Sequence, residues 1–192
     1  MPLADWWEAL WPDPARVLLD CGLTADAGAI DLCAGNGWFT LPMARVARHV
    51  WAIDIDGKLL DLARRRLNEA GLANCQYVEA DAYDVGKVVA SPIDFVFLAN
   101  AFHGVPNKMR LCRAVEEVLE PGGLFAIVNW HKRPREGTPV LGESRGPKTE
   151  LRMSPEAVSI AVEPAGLALV RVAEIPPYHY LAIFQKALAR AR

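Results

Sequence analysis

Short apolar runs alternate along this chain with longer stretches whose apolar residues recur every three or four positions. The first run is Ala29-Ile30-Asp31-Leu32-Cys33, which ends on the turn Gly35-Asn36-Gly37. Thr40 stands where it can cap a helix carrying Leu41, Met43, Ala44 and Ala47, with Pro42 tolerated in the first turn. Val50-Trp51-Ala52-Ile53-Asp54 is the second run. A helix follows with Leu59, Leu60, Ala63 and Leu67 on one face, and Gly71 is its natural stop. Gln76–Glu79 reads as a third strand and Phe95–Leu98 as a fourth, with a short helical piece near 83–90 between them.

Pro106 suits the first turn of the next helix, in which Met109, Cys112, Val115 and Leu119 recur at helical spacing. Pro121-Gly122-Gly123 breaks it, and Leu124–Val128 forms a fifth strand. The stretch from His131 to Arg152 has little periodicity and is too long for an ordinary connection, which marks a functional loop. Ser154 can cap a final helix ending near Gly166. Leu167–Ile175 and Tyr178–Gln185 then read as strands whose joint, Pro176-Pro177, is too short for a parallel crossover, so they run antiparallel. Five βα units and a terminal β-hairpin define an α/β protein with a mostly parallel sheet.

The chain has 192 residues and a formal net charge of −2, enough for one domain and without global attraction for nucleic acid or an anionic membrane. Cys21, Cys33, Cys75 and Cys112 are scattered with no CxxC pair. That argues against a zinc ribbon, a redox motif or a disulfide framework, and no metal is expected. The opening MPLADWWEALWPDP lacks the basic and apolar regions of a signal peptide, and no apolar run is long enough to span a bilayer. A soluble, cytoplasmic protein is therefore expected, as a monomer or homodimer.

The chemistry concentrates in Asp31-Leu32-Cys33-Ala34-Gly35-Asn36-Gly37. A strand ending in an acid and a Gly-rich turn lets a ligand approach the backbone at a helix N-terminus. Asp54 lies 17 residues after Gly37 at the end of the next strand, where an acid can accept from both ribose hydroxyls of a nucleoside. A dinucleotide fingerprint has a third small residue where this chain has Thr40, preceded by bulky Trp38 and Phe39, which disfavours NAD or FAD. Asp31 beneath the turn suits a cationic amino-acid tail and would repel a pyrophosphate.

Asp31 to Gly37 resembles the first motif of class I S-adenosylmethionine-dependent methyltransferases, and DLCAGNG is especially similar to their ubiquinone/menaquinone-biosynthesis branch. Further matches follow in order: Asp54; Ala80-Asp81-Ala82; Asn100-Ala101-Phe102-His103; and Leu119-Glu120-Pro121-Gly122-Gly123. The resemblance covers about residues 28 to 130 and implies a Rossmann-like sheet of seven strands in the order 3-2-1-4-5-7-6, with helices on both faces and the last strand of the chain antiparallel. It implies S-adenosyl-L-methionine as cofactor and a small-molecule acceptor, with no nucleic acid. Cys33, Ala34, Gly35 and Gly37 would border the methionine moiety, with Asp31 near its ammonium group. Asp54 would hold the ribose, with Ile55 beside it among the cofactor-binding residues. Asp81 would accept from the adenine amino group while the Ala82 N–H donates to the ring, and Asn100 would line the methionine end. Cys33 stands where the wider family has a glycine.

One domain, 1–192, is expected: an N-terminal helical segment 1–27, a cofactor-binding core 28–130, an active-site loop 131–153, and a final helix and β-hairpin 154–192. His103 is the candidate catalytic residue, as a base, a substrate hydrogen-bond donor or simply a loop histidine. Trp130 and His131 end the fifth strand at the ligand-binding edge of the sheet. Trp6, Trp7 and Trp11 form either a core-packing helix or a lid. Six Lys or Arg against three Glu between Lys132 and Arg152 could steer an anionic substrate. Scattered thiols disfavour arsenite methylation, and no Asn-Pro-Pro-aromatic signature supports amino-group methylation of DNA or protein. A lipid-linked acceptor, a non-catalytic cofactor-binding module and an NAD-dependent oxidoreductase remain as rival readings.

Overall fold

The computed structural model describes residues 4–90 and 92–188. Residues 1–3, 91 and 189–192, which belong to the expected N-terminal, core and C-terminal segments, lie outside the described residues. Two short helices, α1 (Ala4–Leu10) and α2 (Pro14–Asp20), precede β1 (Gly28–Leu32), α3 (Thr40–Val46), β2 (His49–Asp54), α4 (Gly57–Glu69) and β3 (Cys75–Glu79). Then come α5 (Val85–Val88), β4 (Ile93–Ala99), α6 (Lys108–Val118), β5 (Leu119–Trp130), β6 (Pro139–Val140), β7 (Glu143–Ser144), α7 (Pro155–Val162), β8 (Leu167–Ile175) and β9 (His179–Lys186).

The main sheet has seven strands in the order β3-β2-β1-β4-β5-β9-β8, with β9 antiparallel to both β5 and β8. This is the order expected, the small β6–β7 hairpin being an extra in the loop. Strands β1, β4 and β5 are buried on both faces, which is why they read as continuous apolar runs. One core layer joins Trp11, Leu18, Met43, Leu67, Phe95 and Phe97, and the opposite layer joins Ile30, Val96, Leu111, Val115, Ile127 and Val158. The chain switches direction between β1 and β4, and ligands bind open α/β sheets at the carboxyl ends of the strands beside such a switch.

Three local expectations need correction. Thr40 does not cap α3: the cap position is Phe39 with no side-chain bond, and the Thr40 hydroxyl donates to Asp31 instead. Helix α6 starts at Lys108, capped by the Asn107 side chain accepting from Arg110 N at 3.0 Å, so Pro106 lies before it. Strand β5 begins at Leu119, which pairs with Ile93 before a bulge, so Leu119 opens the strand and Pro121-Gly122-Gly123 lies within it. The Ser154 cap does form, its oxygen accepting from Ala157 N at 3.3 Å.

Candidate active site

The turn after β1 is held tightly. Asp54, at the end of β2, accepts from Gly35 N at 2.8 Å through one carboxylate oxygen and from Asp56 N at 2.9 Å through the other. Ala34 N donates to Ile53 O at 3.0 Å. Cys33 sits at φ 62, in the left-handed region usually left to glycine, which costs about 1–2 kcal/mol. Gly37 has φ +79, and a Cβ there would stand 2.7 Å from Ala63 Cβ, so its glycine serves the close approach of α4 to the turn.

Asp31 is buried beneath this turn and accepts from the Thr40 hydroxyl. Burial pushes its carboxyl up to about 7, Thr40 pulls it down, and the nearby Asp54 charge raises it further. Cys33 is pushed up to about 12 by burial and then by the charges of Asp54, Asp31 and Asp81, so its thiol stays protonated. These three carboxylates stand at or just beyond the ends of β1, β2 and β3, and Asp54 bonds the turn directly through Gly35 N. Asp81 is exposed, and one of its oxygens accepts from Tyr83 N at 2.9 Å. Ala82 opens the 3₁₀ turn Ala82–Asp84, where backbone N–H groups have no partner inside the helix. Ile55 follows Asp54 and is 72% exposed, an apolar side chain left open to solvent.

Across the switch point, the end of β4 meets the end of β5. Asn100 also takes the left-handed conformation, φ 57, its N–H donating to Val128 O at 2.8 Å. Both atoms of its side-chain amide are buried with no hydrogen-bond partner in the protein. His103 lies in the 3₁₀ turn Phe102–Gly104, with Nδ1 3.1 Å from Asn129 Oδ1. That oxygen also accepts the Trp130 backbone N–H at 3.2 Å, so the Asn129 atom is an acceptor and His103 Nδ1 must be the donor. Nε2 is then the ring's lone-pair nitrogen. Burial, with the Lys108 and Arg152 charges, holds the imidazole below its usual pKa despite Asn129, so it is neutral near pH 7.

Other aromatic and basic candidates divide. Trp6, Trp7 and Trp11 are buried, and Trp11 contacts Phe39 and His179 at centroid distances of 5.6 and 4.4 Å, so the tryptophans pack the core. Trp130 stacks near Tyr178 and tilts against His179 at 4.2 Å. His131 turns away to β8, its Nε2 2.8 Å from the exposed Glu174 carboxylate. The loop from His131 to Arg152 contains the β6–β7 hairpin and is pinned by buried Arg152, whose guanidinium lies 4.9 Å from the centre of the Trp130 ring. Gly146, φ +83, lies flat on Trp130, where a Cβ would come within 2.7 Å of the indole. The structure thus brings Asn129, Arg152 and His179 to the site edge, none of which sequence reasoning had singled out. Asn129 carried a signal, as a polar residue inside the apolar run Phe125–Trp130.

A doubly wound sheet with an acidic, glycine-bearing turn at its switch point defines a protein of the nucleoside-cofactor-binding open α/β class. A sequence model of the family described as "Methyltransferase domain" matches residues 30–127, just over half of the chain, and the chain belongs to that family. Among curated relatives, a ubiquinone biosynthesis O-methyltransferase from Xanthomonas axonopodis pv. citri is 28% identical over 138 residues, covering 67% of this chain and 57% of the relative. A ubiquinone/menaquinone biosynthesis C-methyltransferase from Vibrio vulnificus is 27% identical over 122 residues, covering 61% and 46%. The chain thus spans about half the length of the curated relatives it matches. An S-adenosylmethionine-dependent methyltransferase structure from Aquifex aeolicus shares the fold, with TM-score 0.77 at 24% identity over 90% of this chain and 89% of the other. No helix among the described residues is long and apolar enough to cross a membrane.

Proposed function

We propose that this chain binds S-adenosyl-L-methionine and transfers its methyl group to a small-molecule acceptor in the cytoplasm. The observation that carries the reading is the Asp54 carboxylate holding the Gly35 turn, with Asp31 buried beneath it, Asp81 close enough to act on the Cys33 thiol, and neutral His103 in the turn after β4. The donor set suits a cationic nucleoside. Asp54 keeps lone pairs for two ribose hydroxyls, the Asp81 carboxylate and the Ala82 N–H suit an adenine edge, and Ile55 offers it an apolar cover. Asp31 suits an ammonium group, and the unpartnered Asn100 amide suits the polar methionine end. The cofactor, when bound, supplies a methyl carbon already activated on a sulfonium.

What the chain itself must do is align the acceptor with that carbon and exclude water. A cofactor held there would supply its methyl carbon to an acceptor lone pair and would keep the electron pair of the broken carbon–sulfur bond on its own sulfur. An acceptor that starts as a hydroxyl or carbon acid must also lose a proton, and His103 Nε2 is the base for it. Asn129 holds the imidazole in the tautomer that leaves Nε2 free.

Calorimetry tests the cofactor half. A hydrogen bond to a charged group contributes roughly 1.5–3 kcal/mol, so Asp54→Ala should weaken S-adenosylhomocysteine binding at least about tenfold. NAD binding more tightly than S-adenosylhomocysteine would overturn the reading.

A further inference from the structure

His179 opens β9 as a histidine with nothing to bond. It is 1% exposed, and neither ring nitrogen has a hydrogen-bond partner in the protein. Its ring lies between two indoles, 4.4 Å from Trp11 and 4.2 Å from Trp130, centre to centre. Its strand partners are Trp130 of β5 and Ile175 of β8, neither of them charged. A neutral imidazole fits such a slot as a flat ring. An imidazolium would bring two charged N–H donors to a place with no acceptor for them.

No neighbouring charge favours the proton. Burial is the main force holding the His179 pKa well below the ordinary value, and the Arg152 charge, with any on His131 or His103, acts the same way. Arg152 takes part in no ion pair among the described residues. The carboxylates on the surrounding elements are engaged elsewhere or face solvent. Glu174 of β8 lies 2.8 Å from His131 Nε2, Glu143 of the loop pairs with Arg145, and Asp13 caps α2 by accepting from Arg16 N. Glu8 of α1 and Glu136 and Glu150 of the loop are exposed.

The same slot joins two segments distant in the chain. Helix α1 packs against β6 of the loop, and its Trp6 lies 6.5 Å from the Trp130 ring and 5.8 Å from the Arg145 guanidinium. Trp7 stacks on Trp11 at 6.3 Å. From the loop, Gly146 and Arg152 both rest on Trp130. The N-terminal tryptophans and the loop therefore share one support, the Trp130–His179 pair.

We infer that His179 is an acid-sensitive latch: as a neutral ring it holds the N-terminal tryptophans and the loop onto Trp130, and on gaining a proton it releases α1 and the loop together from the carboxyl end of β5. Once released, the ring regains the ordinary histidine pKa of about 6.5, whereas the closed slot excludes the proton. The latch is therefore fully closed above that pH and loses its hold as pH falls below it. Each further pH unit favours the open form about tenfold, until the closed ring itself takes the proton.

Hydrogen exchange of the full chain, expressed as protection factors between pH 7.5 and 5.5, tests the latch. The reporting amides are those of Trp11, which donates to Trp7 O, and Arg145, which donates to Thr138 O. Their protection should fall about tenfold across that range, while amides of β1 and β4 stay within about threefold. His179→Phe keeps an aromatic ring in the slot and takes no proton, so both reporting amides should stay within about twofold. Protection in the wild type that ignores pH, an unchanged dependence in His179→Phe, or an equal loss in β1 and β4 overturns the inference. If His179→Phe does not fold, His103→Gln and His131→Gln decide, since they remove the two other titrating rings near the slot. The tenfold dependence should survive in both, and its disappearance from either one overturns the latch.

Discussion

His103 Nδ1 lies 3.1 Å from the amide oxygen of Asn129, a fully enclosed residue at the end of β5. The bond ties the turn after β4 to the neighbouring strand and selects which imidazole nitrogen is free. Because the folded His103 pKa is depressed, the neutral base is present through neutral pH and is lost as pH falls below its ordinary range. His103→Ala should reduce methyl transfer roughly 10²-fold while leaving S-adenosylhomocysteine affinity within about threefold. Asn129→Asp should raise the His103 pKa and move the acid limb of the rate profile to higher pH. Unchanged activity in His103→Ala would return this residue to a plain loop histidine.

Asp31 gives a second pH signature. Its folded carboxyl titrates near 7, whereas an unfolded aspartate titrates near about 3.9. Across that window the folded protein holds a proton that the unfolded chain has released. Stability without cofactor should fall as pH rises through it and level off above. An ammonium group beside Asp31 favours the carboxylate, so S-adenosylmethionine affinity should rise toward about pH 7 with release of a proton. Calorimetry in two buffers of different ionisation enthalpy measures that release, and urea melts measure the stability slope. Asp31→Asn with the same slopes as wild type would remove the group from both effects.

The aromatic N-terminal cluster is a stability element. Trp11 is 1% exposed and bridges Phe39 on one side and His179 on the other. Trp11→Ala should cost about 3–5 kcal/mol in urea-induced unfolding. A loss under about 1 kcal/mol would place these tryptophans on a lid that opens rather than in the core.

Gly146 tests whether the loop depends on Trp130. Gly146→Ala meets both an unfavourable φ of +83 and a Cβ contact of 2.7 Å with the indole. Stability should drop by about 1–3 kcal/mol, and hydrogen exchange should quicken at the amides of Thr138 and Arg145. Wild-type exchange rates in the variant would mean that the loop is braced elsewhere.

Periodicity and turn chemistry alone determined the α/β class, the five parallel strands, the terminal hairpin and the acidic glycine turn followed by Asp54. These depend on each segment's own alternation and on short-range geometry, which the order of residues carries directly. The sheet order came from the family resemblance, and the pairing of strands agrees with it. The resemblance also named residues from Asp31 to Asn100, which lie at or just beyond the carboxyl ends of β1 to β4. Only the tertiary structure decided that Thr40 serves Asp31 instead of a helix end, that Leu119 opens a strand despite a helical pattern, and that the tryptophans pack inward. It alone joined His103 to Asn129 and stood an unpaired Arg152 over Trp130. A periodic pattern reports which face of its own element is buried. Which atoms from distant elements meet there depends on how neighbouring strands end and how a long loop folds back across them.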